Sequence, residues 1–266
     1  KWDLQNSQAL QLATTTDYGP PTLGPLLPVL RQVVQDAQGR ELVEQLAAWR
    51  GDYPLDSANA TLFNQFLYKR PYAALHDELG DAWFQALIST RVIDDALPRL
   101  AADADSPWWD TQGSSARGSR TAVVKLAWDK TLAHLDETFG KDPAGWQWGK
   151  AHTLTHGHPL GMQKPLDRLF NVGPFAAPGT HEVPNNLSAK IGPAPWPVTY
   201  GPSTRGLIDF ADAGTALSIN PVGQSGVLFD RHYGDQAKPY IEGQYQRAWL
   251  GLAGETEGTL RLVPGK

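Results

Sequence analysis

The sequence has 266 residues, of which 41% are hydrophobic and 19% charged, and it carries a formal net charge of −5. This length suits one large domain or two ordinary ones, and the negative charge disfavours nonspecific binding to nucleic-acid phosphates. The chain contains no cysteine, which excludes disulfides, cysteine-based zinc sites and a cysteine nucleophile. Its unbroken apolar runs are too short for a transmembrane helix. We therefore expect neither a nucleic-acid partner nor a membrane partner.

Residues 1–150 predict a mostly helical portion, because apolar residues recur at the spacing that lines one face of a helix. Such stripes run through residues 4–13, 23–34, 42–49, 62–67, 83–100 and 123–135. The pattern predicts helix ends at Gly39, at Gly51 and near Gly140, and one continuous element over 83–100. Residues 112–119 form a polar stretch that we interpret as a short loop.

Residues 151–266 predict a β-rich portion, since proline and glycine interrupt the sequence every few residues and short strand patterns lie between them. The strand candidates are residues 153–156, 198–200, 205–212, 217–219 and 259–263. Helices followed by strands are typical of an α+β protein rather than a doubly wound α/β fold. We do not expect the two portions to be independent domains.

Histidines are most dense in the segment of residues 152–158. A strand would place His152, His156 and His158 on one face, which is a plausible half of a metal site. His181–Glu182 or Asp230–His232 could complete the site only if the fold brings them close. In the other interpretation, the imidazoles bond to the backbone and loops around the end of a strand.

Ser225 lies in a sequence that invites comparison with the GxSxG motif of serine hydrolases. Gly223 and Ser225 match that motif, but Val227 occupies the final glycine position. A tight turn after Asn220–Pro221 is the better interpretation. The nearby segment of residues 230–236 is either an acid–base site or a polar network that holds a loop.

Several segments resemble the penicillin acylase (penicillin amidase) family of N-terminal-nucleophile hydrolases. Residues 148–160, WGKAHTLTHGHPL, resemble one family segment, and residues 2–11 look like the family's helix after the catalytic core. Further motifs follow in family order at residues 165–170 (PLDRLF), 178–186 (PGTHEVPNN), 201–210 (GPSTRGLIDF), 220–226 (NPVGQSG) and 230–236 (DRHYGDQ). The forms at 179–186 and 193–203 look closest to the acyl-homoserine-lactone acylase branch.

The resemblance implies part of a four-layer αββα fold and a position in the C-terminal portion of the β subunit. In this family a precursor cuts itself into a small α chain and a large β chain, and the serine freed at the β N-terminus is the nucleophile. The family's catalytic positions precede Lys1, so no residue of this chain matches a catalytic position, and substrate-binding residues are not assigned. No metal or other cofactor is expected.

The same resemblance implies hydrolysis of acyl-homoserine lactones first and β-lactams such as penicillins second. The expected partners are the α chain and the N-terminal part of the β chain, and the expected location is periplasmic or secreted. The alternative is a self-standing secreted binding module, in which the tryptophan-rich helices form an aromatic-lined ligand groove.

Overall fold

A computed structural model describes residues 2–110, 119–249 and 260–264 of the chain. The helices among these residues are α1 (Leu4–Gln11), α2 (Gly19–Leu23), α3 (Leu27–Val33), α4 (Ala37–Ala48), α5 (Ala58–Ile88), α6 (Val92–Ala102), α7 (Arg120–Phe139), α8 (Trp148–Ala151), α9 (Asp167–Phe170) and α10 (Ala237–Ile241). The strands are β1 (His152–His156), β2 (Val172–Ala176), β3 (Ser188–Ala189), β4 (Trp196–Tyr200), β5 (Arg205–Ile208), β6 (Thr215–Ile219) and β7 (Gln246–Trp249).

The strands form two small sheets. The first has the order β2-β1-β4-β3, in which β1 runs antiparallel to β2 and parallel to β4. The second is an antiparallel meander with the order β5-β6-β7. Because the long helices precede both sheets, the α+β class is confirmed. No helix among the described residues is both long enough and apolar enough to cross a membrane.

Side-chain caps fix where several helices begin. The Asp36 carboxylate accepts a hydrogen bond from the Gly39 amide at 2.6 Å, and Ser57 and Ser119 cap α5 and α7 in the same way. These side chains satisfy amides that have no partner within the helix. The prediction that a helix ends at Gly39 was therefore wrong, since α3 ends at Val33 and Gly39 lies in the first turn of α4.

Other predicted boundaries also moved. The stripe over 83–100 is divided between α5 and α6, and α5 itself is kinked at Gly80, where φ is 66°. By contrast, α7 ends at Gly140 as predicted, because this residue adopts a φ of 91° that glycine tolerates.

The strand predictions were right for β1, β4 and β6 and incomplete elsewhere. The predicted strand 205–212 stops at Ile208, because the Asp209 carboxylate accepts from the Ala211 amide and starts a 3-10 turn. Residues 260–263 are not in a strand, and residue 259 lies outside the described residues. Residues 112–118 of the predicted polar loop also lie outside them, whereas Ser119 caps α7.

The main hydrophobic core lies between α5 and α7 and extends to the β-rich portion. Phe66 of α5 meets the ring of Trp128 on α7 edge to face at 5.8 Å, and both side chains are fully buried. Trp148 and Trp196 belong to the same buried cluster. The two predicted portions, residues 1–150 and 151–266, therefore share one core at this boundary.

Gly51 provides a test of the backbone that precedes α5. It has a φ of +81°, and a Cβ there would lie 2.2 Å from the Thr16 carbonyl oxygen. The Thr16 amide also donates to the Gly51 carbonyl at 2.9 Å. In the complete protein, we expect Gly51→Ala to lower the free energy of unfolding by about 2 kcal/mol or more, measured by urea denaturation.

Gly157→Ala is the matched control, because the φ of Gly157 lies outside the left-handed region and no atom beyond its chain neighbours lies within 4 Å of an added Cβ. This change should be neutral or stabilising by up to about 1 kcal/mol. Equal losses for both variants would contradict the argument from backbone conformation.

Candidate functional site

A cleft lies where α5 and α6 meet the segment of residues 180–192. We call it the His181 cleft, and its volume is about 60 Å³. Its polar lining comprises Tyr18, Tyr53, Asn64, Arg91, Asp94, Thr180, His181, Glu182 and Lys190. A second pocket of about 380 Å³ shares Arg91, His181 and Lys190 with it. Charged groups from both predicted portions therefore meet here.

His181 is held by a chain of hydrogen bonds. Its Nδ1 lies 2.9 Å from the Ser188 hydroxyl oxygen, and that hydroxyl donates to the Asn186 side-chain oxygen. Because the Ser188 proton is directed to Asn186, Nδ1 of His181 is the donor to Ser188. Burial, and secondarily the charge of Arg91, lowers the pKa of His181 below its usual value.

Two carboxylates face this imidazole. Glu182 Oε1 lies 3.4 Å from Nε2 of His181. Asp94 Oδ2 lies 3.1 Å from a guanidinium nitrogen of Arg91, one turn earlier. One ligand atom from each of Asp94, His181 and Glu182 can be chosen so that all three lie within 4.8 Å of one another.

Tyr18 anchors the Asp94 region from the other side of the cleft. Its hydroxyl donates to the Asp94 backbone carbonyl at 2.8 Å. Burial and the nearby Asp94 charge raise the pKa of Tyr18, so it remains a neutral donor at physiological pH. The first turn of α6 is thereby fixed against the cleft.

Ser188 and His181 do not form a nucleophile–base pair despite their short distance. Ser188 is only 2% exposed, and its hydroxyl proton is given to Asn186 rather than to the imidazole. A nucleophilic hydroxyl must instead donate to its base and reach the substrate. The hydrogen bond between Ser188 and His181 instead orients the imidazole within the cleft.

The three histidines of the predicted half-site have separate environments. His152 is buried, donates from Nδ1 to the Ala177 carbonyl at 2.8 Å, and stacks on Trp148 at 4.7 Å. His156 packs near the Tyr240 ring, and His158 accepts from the Leu160 amide through Nδ1. Among the described residues, only Asp94, His181 and Glu182 form a group of three potential metal ligands.

His181–Glu182 thus joins Asp94 rather than the histidines of 152–158. Sequence reasoning missed Asp94 altogether. The sequence does place two acids, Asp94 and Asp95, in the first turn of α6. Acids are favoured there by the helix dipole alone, so their presence does not indicate a metal site.

Ser225 lies in a tight loop, as predicted. Its amide donates to the His232 carbonyl at 3.0 Å, and its hydroxyl accepts from the Val227 amide at 3.2 Å. The His232 ring contacts the Asp235 carboxylate at 2.7 Å, while the Asp230 carboxylate accepts from the His232 amide. These contacts match the interpretation of 230–236 as a polar network that holds a loop.

An aromatic-lined groove of about 850 Å³ also exists, between α5, α6 and the 3-10 turn Pro107–Trp109. Trp83 and Trp108 line it, and Trp83 is 71% exposed. This is the kind of groove that the binding-module alternative requires.

Comparison with known proteins gives a consistent result. A model of the penicillin amidase family matches residues 1–253. The acyl-homoserine lactone acylase QuiP of Pseudomonas fluorescens strain Pf-5 is 27% identical over 242 residues, which cover 86% of this chain and 29% of the relative. QuiP of Pseudomonas syringae pv. tomato DC3000 is 27% identical over an alignment that covers 100% of this chain and 35% of the relative.

Among solved structures, a thermostable penicillin G acylase from Alcaligenes faecalis is similar in fold. The TM-score is 0.51 at 15% identity, with 99% of this chain and 50% of that chain covered. This likeness supports the expected membership in the N-terminal-nucleophile fold. The chain spans about a third of the length of the curated relatives it matches.

His152 generates a pH-dependence prediction, because burial lowers its pKa from 6.5 to about 4. Between these two pH values the unfolded state binds the proton more tightly than the folded state does. The contribution of His152 to the free energy of unfolding is therefore complete above about pH 6.5 and falls as the pH drops toward 4. The free energy of unfolding contributed by His152 should fall by about 3 kcal/mol between about pH 7 and about pH 4. Urea denaturation at the two pH values measures this loss.

His152→Gln should flatten this part of the pH dependence while lowering stability at neutral pH, since the stack on Trp148 is lost. His158→Gln is the matched control, in which the same substitution is made outside the stack on Trp148. An unchanged slope in His152→Gln would contradict the assignment.

The Ser225 loop generates a second prediction. Ser225→Ala should change the free energy of unfolding by less than about 1 kcal/mol, because the Ser225 hydroxyl accepts one hydrogen bond from a nearby backbone amide. Gly223→Ala should instead lower the free energy of unfolding by about 1–3 kcal/mol, since its Cβ would lie 1.7 Å from the His232 carbonyl oxygen. A loss of stability in Ser225→Ala as large as that in Gly223→Ala would contradict this local role.

Proposed function

Because the chain belongs to the penicillin amidase family, we propose that it forms the C-terminal portion of the β subunit of an amidohydrolase that cleaves N-acyl-homoserine lactones. The observation that carries this proposal is the family match over residues 1–253. The substrate class is inferred from the curated relatives, which are named as acyl-homoserine lactone acylases.

In the proposed reaction, the nucleophile is an N-terminal serine on a segment that precedes residue 1. Its hydroxyl oxygen attacks the amide carbonyl, its own α-amine takes the hydroxyl proton, and that proton passes to the departing nitrogen. Homoserine lactone leaves with a free amine, and water then releases the acyl chain as a carboxylic acid. Self-cleavage of the precursor would expose the serine.

The arrangement of serines in this chain is compatible with a nucleophile elsewhere. Ser225 accepts from a local amide, and Ser188 is buried with its proton directed to Asn186. Within the described residues, neither hydroxyl donates to a histidine. This supports the proposal that the chain contributes framework and surface rather than the reacting groups.

The proposed partners are the α chain and the N-terminal part of the β chain. Support comes from apolar side chains that are exposed around the second sheet, where Phe210 is 91% and Trp249 is 52% exposed. Covering each 100 Å² of such surface would contribute about 2.5 kcal/mol to assembly.

The proposed location is the periplasm or the exterior of a bacterium, where the reaction would quench quorum-sensing signals.

The proposal predicts the behaviour of the complete, processed protein. With N-decanoyl-homoserine lactone it should release homoserine lactone and decanoate in equal amounts, measured by mass spectrometry. N-terminal sequencing should find one polypeptide that begins with serine, and replacing that serine by alanine should abolish both self-cleavage and hydrolysis. Penicillin G serves as a second substrate, because β-lactam hydrolysis is the secondary expectation.

Residues 1–266 produced alone give the control. They should bind a hydrophobic dye, lack amidase activity and regain compactness only on refolding with the preceding chains. An isolated chain that melts cooperatively and binds an apolar ligand at Trp83 and Trp108 would favour the binding module. A processed enzyme inactive on acyl-homoserine lactones would refute the proposed substrate class.

A further inference from the structure

We propose that Asp94, His181 and Glu182 bind a divalent transition-metal ion, with Zn²⁺ as the preferred ion, and that the ion links α6 to the segment before β3. The site joins residues from the helical portion to residues from the β-rich portion.

The donor set and its spacing suit zinc. Histidine nitrogen and carboxylate oxygen bind Zn²⁺ at about 2.0–2.2 Å, so neighbouring ligand atoms of a tetrahedral site lie about 3.4 Å apart. Nε2 of His181 and Oε1 of Glu182 are separated by 3.4 Å. The third atom, from Asp94, lies within 4.8 Å of both, so a small side-chain rotation completes the set.

The imidazole is oriented for ligation. Nδ1 donates to Ser188, which leaves the lone pair on Nε2 directed into the cleft. Ligating histidines almost always donate their other ring N–H to such an acceptor, which fixes both tautomer and ring orientation. A lone pair and a carboxylate oxygen at this distance repel each other, and a cation between them converts the contact into an attraction.

The cleft has room for a metal ion, and the Arg91 side chain that pairs with Asp94 can be displaced by it. All three residues line the cavity of about 60 Å³, which has room for an ion and for a water at a remaining coordination position. Arg91 pairs with Asp94, but its side chain is 42% exposed and can turn to solvent when the ion arrives. The doubly charged ion then replaces a single positive charge beside two carboxylates.

The experiment uses the complete protein after chelation and dialysis. Calorimetric titration should show one equivalent of Zn²⁺ bound and a higher melting temperature with the ion. Co²⁺ in its place should give visible absorption bands of a four- or five-coordinate site. Asp94→Asn, His181→Ala and Glu182→Gln should each weaken Zn²⁺ binding at least tenfold.

Two matched controls separate this site from other ligands. Asp95→Asn changes the neighbouring acid in the same helical turn, and His158→Ala removes a histidine elsewhere, so both should bind Zn²⁺ like the parent protein. If His181→Ala fails to fold, Glu182→Gln decides, because Glu182 is partly exposed and its replacement has the same shape.

Three results would overturn the proposal. The first is no stoichiometric Zn²⁺ binding. The second is equal binding by the parent protein, Asp94→Asn and Glu182→Gln. The third is a melting temperature that Glu182→Gln lowers equally with and without Zn²⁺, since this would indicate an ion pair between Glu182 and a protonated His181. None of these readouts depends on hydrolytic activity.

Discussion

The contacts of Trp148 hold the helical and β-rich portions together. Its indole N–H donates to the Gly179 carbonyl at 2.9 Å, while its ring stacks on His152 and meets Tyr53 and Trp196 at 5.0 and 5.4 Å. Four chain segments therefore converge on one buried side chain. The His181 cleft depends on this convergence, because Trp148 and Trp196 form part of its wall.

Two buried arginines, Arg205 and Arg70, donate their hydrogen bonds to neutral oxygens. Arg205 donates to the Tyr240 carbonyl and the Asn185 side chain, and its guanidinium lies 4.2 Å from the Tyr240 ring centre. Arg70 donates to the Thr22 carbonyl, and burial lowers its pKa to about 10. The carboxylates Asp94 and Glu182 instead line the His181 cleft, where they meet Arg91, Lys190 and the oriented imidazole at the boundary between the two portions.

Sequence patterns predicted what depends on local periodicity. The helices α5 and α7 follow from apolar residues at helical spacing, and Gly140 ends α7 because only glycine adopts its φ without strain. The order of helices before strands also gave the α+β class. By contrast, β2 contains Gly173 and Pro174, two residues that argue against a strand and hid it from pattern reasoning.

The candidate site was less predictable, for a physical reason. Asp94 and His181 are far apart in the chain, and their meeting depends on how α6 packs against a loop with no regular pattern of its own. Short-range motifs singled out His152, yet a buried imidazole that donates to a carbonyl serves the fold. The quoted family motifs identified the family because they span the chain in order and do not require knowledge of any contact.

The second sheet has a consequence for how the protein is made. Its outer strands, β5 and β7, have no further strand neighbour among the described residues, although the Gly206 carbonyl of β5 accepts a hydrogen bond from the Gln11 side chain. Unpaired backbone groups at such edges can pair with another chain. If the proposed partner chains cover these edges, a copy made in excess of them would offer the edges to other copies. Translation as a single precursor, as proposed, would supply the chains in a one-to-one ratio and in the same place. Their equal amounts would then follow from their being encoded by one gene, with no need for separate regulation of each chain.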